Sequence, residues 1–234
     1  MTPPPASTQP PAGNAQLHAL NTGLAGVVAG RTAICSIDGE LRYRGYSIES
    51  LAVTGNFEEV AFLLLHGELP TAAELAAFCG RIHAAARALD PTVLQALTQL
   101  AARAPAAAPM DALRTGVSML GQIELDQVPG TPDALVAQAE RLLGQGPALL
   151  AAWVDLSSGR AIGEWPEGSI AAALLARLTR RVPSAEQLAI FGSSLVFYAE
   201  HEFNASTFVA RTVVSTGSDM HSGITAAIGA LKGP

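Results

Sequence analysis

Basic charge is scarce and scattered in this chain. Of its 234 residues 14 are lysine or arginine, Lys232 is the one lysine, and 20 acidic side chains leave a net charge of -6. No basic run occurs, so the electrostatic footprint of a nucleic-acid binder is missing. Cysteine is nearly absent as well. Cys35 and Cys79 form neither a Cys-x-x-Cys pair nor a His-flanked ligand pattern, so they read as buried thiols and no metal is expected. No stretch reaches the roughly 18 uninterrupted apolar residues that span a bilayer, because Arg, Gly, Pro or Glu breaks every candidate. The N-terminus lacks the basic region and apolar core of a secretory signal, and no arginine precedes Arg31, against a mitochondrial presequence. A cytoplasmic location is the expectation that follows.

What is present is mostly apolar. Hydrophobic residues make up 49% and charged ones 15%, and the mean hydropathy is +0.30, so the chain can bury a sizeable core. Residues 1–17 are the exception: five of the first 13 are proline, and such a segment cannot bury enough apolar surface to offset its ordering. A disordered tail is expected there, with residues 18–234 forming one helical body.

Local signals are explicit. Ala33, Cys35 and Ile37 alternate with polar residues up to Asp38-Gly39, after which Leu41 and Tyr43 alternate again, which predicts a β-hairpin turning on a glycine. Beyond Ser47 the pattern is helical. Asn56 with Glu59, Thr71 with Glu74 and Ser184 with Gln187 each pair a cap residue with an acceptor three positions on. Asp90-Pro91 and Thr131-Pro132 place a cap before a proline whose missing N–H costs nothing at the first helical position. Gly67 closes one helix, and Gly159 with Gly163 closes the one carrying Trp153. Residues 103–109, 122–131 and 156–169 read as connections. The prediction is a mainly α fold of about nine helices with a small N-terminal β-hairpin.

One stretch departs from this scaffold. Leu188, Phe191, Leu195 and Tyr198 recur at helical spacing, predicting a buried face, and the pattern then runs into Glu200, His201, Glu202 and Asn204. Polar groups at the end of a core helix need partners. Backbone carbonyls are one supply and a bound ligand is another.

Tyr198-Ala-Glu-His-Glu-Phe-Asn-Ala-Ser-Thr-Phe208, followed by Ser215-Thr-Gly-Ser-Asp-Met220 and Ala226-Ala-Ile-Gly-Ala-Leu-Lys-Gly-Pro234, resembles the citrate synthase family, and within it 2-methylcitrate synthase. Collinear matches precede these at Gly23-Leu-Ala-Gly-Val-Val28, Leu41-Arg-Tyr-Arg-Gly-Tyr46, Phe57-Glu-Glu-Val-Ala61, His66-Gly-Glu-Leu-Pro-Thr71 and Met110-Asp-Ala-Leu-Arg-Thr115. The likeness runs from about residue 18 to 234 and is thinner between Gln122 and Val182. It implies a citrate synthase-like multi-helix fold and condensation of acetyl-CoA or propionyl-CoA with oxaloacetate, without metal or redox cofactor. By the same resemblance His201 and Asn204 face oxaloacetate, and Leu231, Lys232, Gly233 and Pro234 contribute to the CoA site. The small residues after Asn204, among them Ala210, Gly223 and Ala227, let helices approach closely; in this family such helices also form a homodimer.

The family's following His-Gly-Gly segment, its later histidine, its aspartate base and its carboxylate-binding arginines have no counterpart in these residues. The expectation is therefore the N-terminal part of the family's large helical domain, inactive alone and associating with itself or with a C-terminal half. Ala108, Ala72 and His221 stand where the family usually shows His, Arg and Tyr; His221 reads as a surface or interface residue. A scaffold paralogue without catalysis, or a dicarboxylate sensor using His201 and Arg211, are the other readings. Thiol release from either acyl-CoA with oxaloacetate separates them: none is expected from this chain alone, and recovery on adding a C-terminal half would single out the synthase fragment.

Overall fold

The computed structural model describes residues 29–124 and 131–232. The expected tail over residues 1–17, the matched segment 23–28 and the CoA-site candidates Gly233 and Pro234 lie outside the described residues. Thr32–Pro234 forms a compact unit. Its chain begins with three antiparallel strands in sequential order, β1 (Cys35–Asp38), β2 (Glu40–Tyr43) and β3 (Tyr46–Ser47). Gly39 sits at the predicted turn with φ +79°, and Cys35 pairs with Tyr43 across the ladder. The third strand was not announced by the alternation. It arises because Arg44 and Gly45, at φ 49° and 91°, make a second two-residue reversal.

Ten helices follow among the described residues: α1 (Ile48–Thr54), α2 (Phe57–His66), α3 (Ala72–Arg87), α4 (Pro91–Arg103), α5 (Pro109–Ile123), α6 (Pro132–Ser157), α7 (Ile170–Thr179), α8 (Ala185–Phe197), α9 (Ala205–Ser215) and α10 (Met220–Leu231). All three predicted capping boxes are complete, with both the side-chain and the returning bond present at Asn56, Thr71 and Ser184. Asp90 and Thr131 cap α4 and α6 ahead of their prolines, and Gly67 closes α2 in the left-handed conformation. The connections at 103–109 and 156–169 fall between helices as predicted. The longest helix, α6, is the spine of the unit and packs against α3, α4, α5 and α7. Its approach to α3 depends on Gly144, where a Cβ would collide with the Ile82 carbonyl. Leu149 and Trp153 of α6 join Val93, Leu97, Val117 and Leu120 in one core, and Ala148 and Ala151 join Trp165 and Leu174 in another.

Three expectations change. The face of α8 carrying Leu188, Phe191, Leu195 and Tyr198 is half-buried at most, and Tyr198 is 83% exposed. The helix is anchored instead through Val196, its one buried residue, which packs with Tyr43 and Cys35. Cys35 is buried as predicted, whereas Cys79 is only half-buried. His221 is not a surface residue but 4% exposed. Gly121 allows this: a Cβ there would lie 2.7 Å from that of His221, so only glycine lets α10 seat the imidazole against α5. The Nδ1 of His221 accepts from the Gln138 amide at 3.2 Å, and burial pushes its pKa down, outweighing nearby Glu124 and Asp219. The ring is therefore neutral in the fold.

The end of α6 is fixed by a buried charge. Asp155 has no exposed surface; it accepts from the Gly163 amide at 3.0 Å and Arg177 at 2.6 Å, and it pairs with Arg180 and Arg160. Burial alone would raise its pKa, but the Gly163 amide and the arginines together hold the carboxyl below the usual range. A depressed folded pKa contributes stability that is complete above the unfolded value near ~3.9 and is lost as pH falls through the folded value. Asp155→Asn should cost about 3 kcal/mol at neutral pH, because Arg177 is left buried without its counter-charge. Urea unfolding at pH 7, 5 and 3 should show the gap between wild type and variant closing toward the acid end.

Candidate active site

Two strands at the start of the chain hold the turn that follows α8. Tyr43 has no exposed surface, and its hydroxyl lies 3.1 Å from the Val196 carbonyl, 3.3 Å from that of Phe197 and 2.9 Å from that of Glu200. The same oxygen accepts the Glu200 N–H at 3.2 Å. A phenol has one proton to donate, so the three carbonyls share it. Helix ends leave carbonyls without intrahelical partners, and Tyr43 supplies two of those at the end of α8. Opposite it in the ladder, the Cys35 thiol donates to Glu200 Oε1 at 3.4 Å. Burial pushes this thiol up to about 11; the Glu202 amide opposes that and the carboxylates of Glu200 and Glu202 add to it. Cys35 is consequently a protonated donor at neutral pH.

His201 follows directly on Glu200. Glu202, immediately after it, has φ 57°, a left-handed conformation that costs a residue with a Cβ roughly 1 kcal/mol. The His201 imidazole is exposed, with Nε2 2.9 Å from the Phe197 carbonyl oxygen. That oxygen can only accept, so Nε2 carries a proton. Nδ1 makes no hydrogen bond among the described residues.

Asn204 opens α9 as its cap. Its Oδ1 accepts from Thr207 N–H at 2.9 Å and from the Ser206 hydroxyl at 2.6 Å, which fixes the amide so that Nδ2 faces away as an uncommitted donor. His201 and Asn204 thus share one short connection, beside the electropositive start of an 11-residue helix. Arg211 of the same helix stacks on Phe203, its guanidinium 4.6 Å from the ring centre. On the other side of the turn an apolar groove of about 480 Å³ runs between Leu195, Tyr198 and Ala199 of this region and Phe57, Leu64 and Leu143.

Helix α10 folds back along α9 after a turn at Gly217, which returns Leu231 and Lys232 toward the end of the pair where Asn204 starts. Gly223 makes this possible, since a Cβ there would meet Val214 at 2.7 Å. Leu231 is exposed. Lys232 Nζ pairs with both oxygens of Asp111, at 2.7 and 2.8 Å, so it stands against α5 and shares no hydrogen bond with His201 or Asn204. Sequence reasoning placed Tyr43 and Cys35 in the hairpin, and Cys35 as a buried thiol, but connected neither with the turn that carries His201. The Leu41-Arg-Tyr-Arg-Gly-Tyr46 match marks the strand of Tyr43 but not its partner.

This mainly helical architecture is that of the citrate synthases. The chain superposes with a TM-score of 0.82 on a citrate synthase from the archaeon Thermoplasma acidophilum, solved as a ternary complex with carboxymethyl coenzyme A and oxaloacetate, at 29% identity over 89% of this chain and 55% of that one. A 2-methylcitrate synthase of Shewanella oneidensis is 44% identical over 91% of this chain and 56% of its own length. A citrate synthase of Mycolicibacterium smegmatis is 41% identical over 92% and 57%. Residues 23–234 match the family profile described as citrate synthase, C-terminal domain, and the chain belongs to the citrate synthase family. It spans about half the length of the curated relatives it matches.

Proposed function

We propose that this chain provides the oxaloacetate-facing wall of a citrate or 2-methylcitrate synthase, which joins acetyl-CoA or propionyl-CoA to oxaloacetate. The observation that carries the reading is the exposed His201 ring, tied by Nε2 to Phe197 and presenting Nδ1. Oxaloacetate is a dianion, and the imidazolium form of His201 donates a charge-assisted bond to it from Nδ1. Asn204 Nδ2 is the second donor, and the start of α9 adds its positive end without a formal charge.

The CoA assignment rests on Leu231, Lys232, Gly233 and Pro234. Lys232 is a compact cation suited to a phosphate, and to reach one it exchanges its Asp111 partner, an exposed pairing that is cheap to give up. The small-residue pair α9 and α10 is the surface for a homodimer or for a C-terminal half, and the setting is the cytoplasm.

Calorimetric titration of the full chain with oxaloacetate tests this. Heat of binding is expected from wild-type protein, and His201→Ala should weaken binding about tenfold or more, the scale of one charge-assisted hydrogen bond. No heat from folded wild-type protein, or an affinity indifferent to His201, would end the reading.

A further inference from the structure

We propose that the β1–β2 hairpin is a positioning clamp for His201, with Tyr43 and Cys35 as its two jaws. The functional consequence rests on the oxaloacetate reading of His201, whereas the clamp itself rests on geometry. Tyr43 and Cys35 are directly opposite in the antiparallel ladder, so their side chains project on the same face of the sheet. Tyr43 holds both backbone groups of Glu200, the residue before His201. Cys35 donates to the Glu200 carboxylate at 3.4 Å. Of the triplet 200–202, Glu200 and Glu202 are half-buried and His201 is exposed.

Strain points the same way. A left-handed Glu202, immediately after His201, persists only where its surroundings over-determine it. The Phe197 carbonyl is the shared element: its oxygen accepts from His201 Nε2 at 2.9 Å and lies 3.3 Å from the Tyr43 hydroxyl. Tyr43 therefore fixes the acceptor that selects the His201 tautomer. Without the hydroxyl the Val196, Phe197 and Glu200 carbonyls and the Glu200 amide compete for other partners, and the anchor of the imidazole moves. Tyr43 acts through His201 and touches no substrate; it is a positioning residue.

The test is Tyr43→Phe in the full chain, read by imidazole ¹⁵N NMR with His201 assigned through His201→Ala. Wild type should show the Nε2–H form. The variant should melt cooperatively, show His201 shifted toward an average of both tautomers, and bind oxaloacetate about tenfold more weakly, the scale of one hydrogen bond. His83 and His221, buried elsewhere, should keep their wild-type signals. On the other jaw, Cys35→Ser keeps a donor and should preserve the His201 signature, while Cys35→Ala should disturb it. An unchanged His201 signal in Tyr43→Phe overturns the proposal, as does an equal disturbance of His83 and His221, which would mean general loosening. Should Tyr43→Phe fail to fold, the Cys35 pair decides, and identical spectra for the serine and alanine variants overturn it. Absence of oxaloacetate binding by wild type removes the functional reading of the site, while the imidazole spectra still judge the clamp.

Discussion

A buried phenol joins the first strands of this fold to a helix more than 150 residues later. The Tyr43 hydroxyl has no access to water, so its oxygen and the backbone groups around it must satisfy one another, and they do so around the end of α8. Elsewhere that helix is held by half-buried contacts, Ser193 donating to the Ala52 carbonyl at 3.2 Å and Phe191 packing on the Trp165 cluster. Val196 is its only buried side chain, and Val196 lies in the same cluster as Tyr43. An unsatisfied buried carbonyl costs more than a formed hydrogen bond contributes, so the junction is specific in direction as well as in contact. The turn carrying His201 inherits its geometry from it.

The rest of the helical body supplies the frame beneath this junction. Helix α6 runs through it and approaches α3 closely at Gly144. Charged groups pin its flank and its end. Glu140, 4% exposed, accepts two bonds from Arg81 and one from His66, so the histidine closing α2 meets a carboxylate as well as the helix dipole. Asp155 gathers three arginines at the far end. Breaking such pairs from one side is costly even where forming them contributes little, so they act chiefly to specify one arrangement of helices.

Which parts of this were legible in the sequence follows from the range of the interactions. Capping boxes at Asn56, Thr71 and Ser184, proline starts and the Gly39 turn are written within four residues, and the structure keeps each of them. His201 and Asn204 stood out as polar residues ending an apolar pattern; both are exposed on one connection rather than placed at the end of a buried face, and His201 meets the Phe197 carbonyl. The exposed side of α8 was misread because three- and four-residue spacing marks an apolar face without naming what covers it. His221 was misplaced because its burial depends on a glycine 100 positions away. The Tyr43 contact, 157 residues long in sequence, leaves no local trace at all. Substitution relative to the family was legible but its effect was not: Ala108, where the family usually has histidine, starts α5 with no side-chain cap.

A crystal structure of this chain with oxaloacetate tests most directly whether His201 offers Nδ1 to a keto acid from a turn held by Tyr43. The prediction is a ligand oxygen within hydrogen-bonding reach of His201 Nδ1, with Nε2 still on the Phe197 carbonyl and the Tyr43 hydroxyl still on Glu200. Oxaloacetate bound elsewhere, or a His201 ring that has turned away from Phe197 to meet it, would contradict the account.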